Sequence, residues 1–219
     1  WSDRNTAVLF GDGAGAVVVE ESKSPEDGEI FSFVNGLSSD KLDILEVPNF
    51  GSAMDRFNKD EAARVRWTFD GQEIFKGGIR AMATASDEVI TKSGLTKDDI
   101  DLLIPHQANL RIVEGLEKML GLPNATTIKK VHKYGNTSAA SIPTALVDAL
   151  EEGEIKGGEV AIFTAVGAGL SWGACALRLG ERTTPINTSD AKLPDFDGKA
   201  VDTIRRAIEY QIPEKLDLI

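Results

Sequence analysis

The sequence has one cysteine, two histidines and few aromatic residues, which make up 6% of its 219 residues. A single cysteine, Cys175, cannot form an internal disulfide framework, and this set cannot complete a closed structural zinc site without carboxylates. No apolar run approaches the roughly 18 to 20 residues of a membrane-spanning helix, and no secretory signal opens the chain. We therefore expect no metal, no membrane span and a cytoplasmic location.

Basic residues are also scarce. The chain has 24 lysines and arginines against 35 aspartates and glutamates, a net charge of −11 at pH 7. Because phosphate backbones are bound by basic surfaces, this balance argues against a nucleic-acid partner. An acidic partner would need a local basic patch. With 42% hydrophobic and 27% charged residues, the composition suits one ordinary globular α/β domain.

The stretch FGDGAGAVVVE at residues 10–20 has the loose form of a dinucleotide-binding motif, Gly11-x-Gly13-x-x-Ala16. A pyrophosphate site needs a helix N-terminus directly after the glycines, because the free amides there bind the anion. Three valines follow instead, at residues 17–19, and a β-branched run is typical of a strand. The pattern therefore favours two strands, at residues 6–10 and 17–19, joined by a glycine-rich turn.

Periodicity predicts alternating strands and helices along the rest of the chain. The predicted helices are 71–92, 109–120 and 137–151, the predicted strands are 28–36, 101–104, 159–165 and 170–179, and residues 96–99 form a capping box. This order gives the α/β class. A polar stretch around Gly51 and Asp55 is predicted as a surface loop. We predict one domain over residues 1–180, followed by a linker and a helical extension over residues 181–219, with Val201, Ile204 and Ile208 as its apolar stripe.

Two polar side chains stand out as candidates for chemistry. His106 follows the predicted strand 101–104, at the edge of an α/β sheet where ligands bind. A structural histidine satisfied by backbone hydrogen bonds is the simpler alternative. Asn136 precedes a predicted helix, so an N-cap is the simpler interpretation. Alternatively, both side chains donate to one carbonyl oxygen on which charge develops.

The sequence between the last two strands allows two interpretations. Gly167, Ala168 and Gly169 form either a tight turn or a loop that exposes backbone amides to an oxyanion. Cys175 lies in an apolar strand with no helix start or glycine-rich elbow to lower its pKa. We therefore predict that Cys175 is a core thiol and not a nucleophile.

Four motifs together closely resemble β-ketoacyl-acyl carrier protein synthase III. They are FGDGAGA at 10–16, IPHQANLR at 104–111, YGNTSAAS at 134–141 and GAGLSWG at 167–173. The resemblance covers residues 1–179 and implies a thiolase-like fold with αβαβα layers, of which this chain would be the C-terminal half, a mixed sheet flanked by helices. It also implies that the glycine-rich stretch is a turn between two strands of that sheet.

The resemblance implies an activity: a decarboxylative Claisen condensation that initiates fatty acid synthesis by joining an acyl-CoA primer to malonyl-acyl carrier protein. His106 and Asn136 match the family's catalytic pair, which binds the malonyl thioester oxygen and stabilises the enolate. Gly167, Ala168 and Gly169 match its oxyanion loop, with alanine where a third glycine is common.

Three further positions match substrate-binding residues of the family. Asn109 matches a residue of the phosphopantetheine or CoA tunnel, and Lys76 and Arg111 match positions for carrier-protein docking. The resemblance implies a homodimer, with no cofactor beyond the CoA or phosphopantetheine that the substrates carry.

Two departures from the family pattern matter. The half that carries the nucleophilic cysteine is absent, and Cys175 matches neither its motif nor its context, so we expect the activity to need a missing N-terminal half. The stretch 181–219 goes beyond the family's usual end. Two alternatives stay open: a related condensing or acyl-transfer enzyme of secondary metabolism, and a non-catalytic partner subunit that shapes a tunnel or dimer.

Overall fold

A computed structural model describes residues 4–40, 42–47, 68–185, 190–191, 198–199, 201–202 and 205–206. The chain divides into two compact units, one made of Trp1–Leu45 and Phe69–Pro185, the other of Glu46–Thr68 and Ile186–Ile219. The predicted loop around Gly51 and Asp55 lies outside the described residues, as do Ile204 and Ile208 of the predicted stripe. The predicted boundary at residue 180 stays a prediction.

The helices and strands follow most of the sequence-based predictions. The helices are α1 (Arg4–Ala7), α2 (Gly71–Lys92), α3 (Leu110–Leu120), α4 (Val131–Tyr134) and α5 (Ser141–Glu151). The strands are β1 (Glu29–Leu37), β2 (Leu45–Glu46), β3 (Thr68–Phe69), β4 (Leu102–Pro105), β5 (Thr126–Thr127), β6 (Val160–Gly167) and β7 (Ser171–Arg178). Within the described ranges, no helix combines the length and the apolar character needed to cross a bilayer.

Five strands form one mixed sheet in the order β1-β7-β6-β4-β5, while β2 and β3 pair separately. β7 is antiparallel to both β1 and β6, whereas β4 is parallel to both β6 and β5. Pro105, the last residue of β4, is in register with Thr164 of β6. Because parallel neighbours end at the same edge of a sheet, the loops that follow β4 and β6 meet there.

Helices cover both faces of this sheet, which confirms the predicted α/β class. Leu103 and Ile162 pack in a cluster with α2 and α3, whereas Leu102, Ile104 and Ala161 pack in another with α5. The alternation follows from the two-residue period of a strand. All four residues of β4 are buried, and each buried Leu or Ile side chain contributes roughly 1.5–3 kcal/mol.

Local signals set the helix ends. Asp70 accepts hydrogen bonds from two backbone amides at the start of α2, and Asn109 does the same for one amide of α3. Gly121 ends α3 with a left-handed φ of 56°, which glycine adopts at little cost. The capping box is confirmed, since Thr96 donates to the Asp99 carboxylate through its backbone N–H and its hydroxyl, both at 2.7 Å.

The predicted N-terminal pair of strands is wrong. Residues 4–7 form the single helical turn α1, and Phe10 forms an isolated parallel bridge with Asn136 outside any named strand. Val17, Val18 and Val19 are exposed by 66%, 92% and 72%. β propensity stabilises a strand only when a neighbour pairs with it, and the described residues provide no partner strand for this run. The glycine-rich stretch is therefore not a turn of the main sheet.

The predicted helix 137–151 begins later than expected. Residues Ser138–Ala140 form a short 3-10 turn, and regular α-helix starts at Ser141. Pro143 then lies in the first turn of α5, where its missing N–H costs no intrahelical hydrogen bond.

Candidate active site

His106 is placed by the edge where β4 and β6 end. Its backbone N–H donates to the Thr164 carbonyl at 2.8 Å, which extends the parallel ladder by one residue. Its ring Nδ1 lies 2.7 Å from Ser141 Oγ at the start of α5. Burial lowers the pKa of the imidazole to about 4, because the charged form loses its hydration. The ring is therefore neutral at pH 7.

A cavity of about 330 Å³ opens beside His106. The other residues that line it come from the turn before α5, the first turn of α5, the end of β6 and the start of β7: Ser138, Ala139, Ser141, Ile142, Ala165, Val166, Gly167, Ser171, Trp172 and Gly173. The lining is mostly apolar, with few polar groups, as expected of a small-molecule site.

The Asn136 side chain keeps a donor that has no partner among the described residues. Its Oδ1 accepts the backbone N–H of Ser138 at 2.9 Å, which orients the amide and leaves Nδ2 available. Asn136 is not among the residues that line the cavity, whereas Ser138 is. The predicted N-cap role is wrong for α5, whose N-cap is Ala140. The hydrogen bond from Ser138 N–H to Asn136 Oδ1 instead closes an Asx turn.

The glycine-rich stretch holds the backbone of Asn136. The Asn136 N–H donates to Leu9 O at 2.8 Å, and its carbonyl accepts the Gly11 N–H at 3.0 Å. A Cβ added at Gly11 would lie 2.0 Å from Tyr134 O, and one at Gly15 would lie 2.5 Å from the Pro143 ring. The glycines are therefore explained by the close approach of two backbone segments.

The turn between β6 and β7 contributes one of its three predicted residues to the cavity. Gly167 lines the wall, whereas Ala168 and Gly169 are not among the lining residues. Ser171 Oγ donates to Ala168 O at 3.0 Å, and Gly169 has a φ of 139°, which favours glycine.

A second cavity, of about 750 Å³, brings together all three predicted substrate-binding residues. Lys76, Asn109 and Arg111 line it, together with Leu9, Gly71, Gln72, Phe75 and Leu110. The N-termini of α2 and α3 both open onto this cavity, and the positive ends of their helix dipoles favour an anion there, although Asp70 and Asn109 already accept three of their amides. Two cations beside two helix N-termini make this cavity electropositive on an acidic chain.

Gln107 is a residue that the sequence analysis missed. Its side chain is 2% exposed, and Nε2 donates to Pro105 O at 2.7 Å and to Ile128 O at 3.1 Å. Its Oε1 accepts the N–H groups of Lys130 at 2.9 Å and Val131 at 3.2 Å. One buried amide therefore ties the end of β4 to the segment that leads to Asn136. A glutamine two residues after the end of an apolar strand was the available signal.

Two lysines fix the same segment to α5 and to the residues that follow it. Lys130, only 4% exposed, pairs with Glu152 and Glu154 at 2.6 and 3.0 Å. Burial lowers the pKa of Lys130, but the hydrogen bonds to both glutamates outweigh it and raise the pKa. Lys133 pairs with Asp148 and with Glu152, and the bonds raise its pKa. These contacts hold the polar run that precedes Asn136.

Cys175 lies within β7, half-buried, and its thiol is free. Burial raises the pKa of the thiol, which disfavours the reactive thiolate. The raised pKa agrees with the prediction that Cys175 is not a nucleophile, whereas its partial exposure places it at the edge of the core and not within it.

Comparison with known proteins identifies the family. The model of the C-terminal domain of 3-oxoacyl-[acyl-carrier-protein] synthase III matches residues 90–179, and a second model of the same family matches residues 1–38. The chain belongs to the 3-oxoacyl-[acyl-carrier-protein] synthase III family. Beta-ketoacyl-[acyl-carrier-protein] synthase III 2 of Vibrio cholerae is 46% identical over 215 residues, which are 96% of this chain and 57% of that protein.

Further synthase III proteins agree. The Listeria monocytogenes enzyme is 46% identical over 181 residues, 83% of this chain and 53% of its own. The crystal structure of 3-oxoacyl-(acyl carrier protein) synthase III from Pseudomonas aeruginosa is similar with a TM-score of 0.73 and 34% identity, over 84% of this chain and 54% of that one. The fold is therefore thiolase-like, as predicted.

The chain spans about half the length of the relatives it matches. The Vibrio cholerae match spans 96% of this chain, so it must include most of the stretch 181–219. That stretch is therefore shared with at least one relative, although we expected it to go beyond the family's usual end.

Proposed function

We propose that the complete protein containing this chain catalyses a decarboxylative Claisen condensation of an acyl-CoA primer with malonyl-acyl carrier protein, the step that initiates fatty acid synthesis. The observation that carries the proposal is a neutral His106 on the wall of a cavity, next to a segment in which Asn136 keeps a free amide donor. Neutral donors of this kind are suited to a developing enolate oxygen.

Loss of carbon dioxide leaves the electron pair of the broken carbon–carbon bond on the malonyl thioester, as an enolate with negative charge on oxygen. Donors from His106 and Asn136 stabilise that charge more strongly than they bind the uncharged carbonyl, so they lower the barrier. The enolate carbon then attacks the acyl group held as a thioester on a cysteine. A carbon–carbon bond forms, the carbon–sulfur bond breaks and the thiolate leaves.

This chain supplies the decarboxylating half of that chemistry. We assign the acyl-carrying cysteine to the rest of the protein, which is supported by the half-buried position and raised pKa of Cys175 in β7. Gly167 is the turn residue that lines the cavity, and we assign the oxyanion role to the turn through it. The reaction needs no resident cofactor, and we place it in the cytoplasm in a homodimer.

The second cavity is assigned to the phosphopantetheine arm of the carrier protein or of CoA. Lys76 and Arg111 face it beside two helix N-termini, and Asn109 lies between α2 and α3 at its wall. An acidic carrier protein would dock here, because the local charge is opposite to that of the chain as a whole.

The test of the reaction uses the complete protein with His106→Ala or Asn136→Ala. Carbon dioxide release from malonyl-carrier protein should fall about 100-fold or more, the loss typical of one missing donor. Acyl transfer from acyl-CoA, followed by intact mass spectrometry, should persist in both variants. Asn124→Ala, at an exposed asparagine bonded to Asp98 O, is the control and should match the unmodified protein.

Full condensation activity in both variants would show that this cavity is not catalytic and would favour a partner-subunit role. The docking assignment has its own test. Lys76→Glu and Arg111→Glu should raise KM for malonyl-carrier protein more than Lys156→Glu, which makes the same charge change at an exposed site. Equal effects in all three variants would contradict the docking site.

A further inference from the structure

Ser141 is a buried hydroxyl between two groups of the candidate active site. It is 2% exposed and begins α5. Its Oγ lies 2.7 Å from His106 Nδ1 and accepts the backbone N–H of Gln107 at 3.2 Å. Nothing in the proposed reaction uses this hydroxyl directly, so its hydrogen bonds decide what it does.

The hydrogen count at Ser141 leaves one consistent arrangement. A hydroxyl has one hydrogen and two lone pairs, and the Gln107 N–H can only donate, so it takes one lone pair. In the described part of the chain, Ser141 Oγ has no hydrogen-bond partner other than Gln107 N and His106 Nδ1. The hydroxyl hydrogen therefore has one acceptor within reach, and that acceptor is Nδ1.

The opposite tautomer leaves a buried group without a partner. If Nδ1 carried the proton, Ser141 Oγ would accept twice and its own hydrogen would have no acceptor among the residues that the structure describes. A buried unsatisfied donor disfavours that tautomer by roughly ten- to a hundredfold. The proton of the neutral ring then belongs on Nε2, the nitrogen that Ser141 does not contact.

We propose that Ser141 is a positioning residue that fixes His106 in the Nε2–H tautomer, so that the ring donates rather than accepts at its free nitrogen. The role of this tautomer in catalysis rests on the proposed function, since an enolate oxygen requires a hydrogen-bond donor. The Gln107 amide holds the array in place, because its four side-chain hydrogen bonds fix the backbone whose N–H orients Ser141.

The test reads the tautomer directly by nitrogen-15 NMR of the imidazole ring, on the full chain without substrate. The chain has two histidines, so His132→Asn leaves a single signal. At pH 7, His106 should show a protonated Nε2 and an unprotonated Nδ1. Ser141→Ala should reduce the tautomer preference at least tenfold. Ser141→Thr, which keeps the hydroxyl, should restore it.

Ser86→Ala is the matched control, because it removes another fully buried hydroxyl, bonded to Met82 O at 2.8 Å, far from the ring in sequence. It should leave the His106 signal unchanged. A protonated Nδ1 in the unmodified ring, or an unchanged preference in Ser141→Ala, would overturn the proposal. If Ser141→Ala does not fold, the tautomer of His106 in the unmodified protein and in Ser141→Thr still tests the proposal, because both should show a protonated Nε2.

Activity measurements separate this inference from the proposed function. In the complete protein, Ser141→Ala should lower kcat for decarboxylation about tenfold and leave KM for malonyl-carrier protein unchanged, since a tautomer ratio alters the donor and not the binding site. An Nε2–H ring in a protein whose His106→Ala variant keeps full activity would refute the function and leave the tautomer assignment standing.

Discussion

Gln107→Leu should remove the largest single set of buried hydrogen bonds near the site. The substitution keeps a similar volume, so it leaves little cavity, but it breaks four side-chain bonds to the backbone of residues 105, 128, 130 and 131. Three of these four residues are buried, so water cannot replace the lost partners. At about 1 kcal/mol for each bond, the free energy of unfolding should fall by about 4 kcal/mol. A domain typically has only about 5–15 kcal/mol in total.

Urea denaturation of the full chain measures this loss from the midpoint and the slope. Gln72→Leu makes the same substitution at an exposed position in the first turn of α2, and it should change stability by less than about 0.5 kcal/mol. A loss below about 1 kcal/mol for Gln107→Leu would refute the reasoning. It would mean that the four backbone groups find other partners, and that the segment before Asn136 is held by its lysines alone.

Three further perturbations test other contacts. Gly11→Ala puts a Cβ 2.0 Å from Tyr134 O and should cost about 1–3 kcal/mol in thermal unfolding; an unchanged melting temperature would contradict the close approach. Burial lowers the pKa of His106 to about 4 from 6.5, so the unfolded chain takes up this proton at a higher pH than the folded chain does. The free energy of unfolding should therefore fall by up to about 3 kcal/mol as the pH drops from 6.5 to 4. His106→Gln should reduce this dependence of the free energy of unfolding on pH. Burial raises the pKa of Asp148, but hydrogen bonds, led by that from Lys133, outweigh it and lower the pKa. Its stabilisation is thus present above its ordinary pKa of 3.8 and lost below it; Asp148→Asn should lower the urea midpoint at pH 7, most at low salt, and an equal midpoint would refute this.

The sequence was sufficient where local signals act alone. The apolar period of α3 predicts a helix over residues 109–120, and the structure confirms it with Asn109 as the N-cap and Gly121 at the end. The same holds for His106, because a polar residue directly after a buried strand is placed by the strand itself. The convergence of Lys76, Asn109 and Arg111 on one cavity followed from the family resemblance and not from any local pattern.

The failures come from contacts between distant segments. The valines at 17–19 have strand propensity, but pairing needs a partner that no local pattern reveals. Gly11 and Gly15 were interpreted as turn residues, whereas their spacing reflects the approach of residues 134–143. Ser141 escaped notice because a serine at a helix start is ordinary, and only its 2.7 Å contact with Nδ1 distinguishes it.

The exposed valines also predict whether the chain self-associates in solution. Val18 presents 92% of its surface to water, between two neighbours that present 66% and 72%. Among the described residues, no backbone group of this stretch has a hydrogen-bond partner, and a short, uncharged, β-branched segment of this kind readily adds to the edge of another molecule. Molecules of this chain should therefore associate through residues 17–19 at high concentration. The concentration that can be used in experiments will then be limited by solubility before it is limited by the stability of the fold.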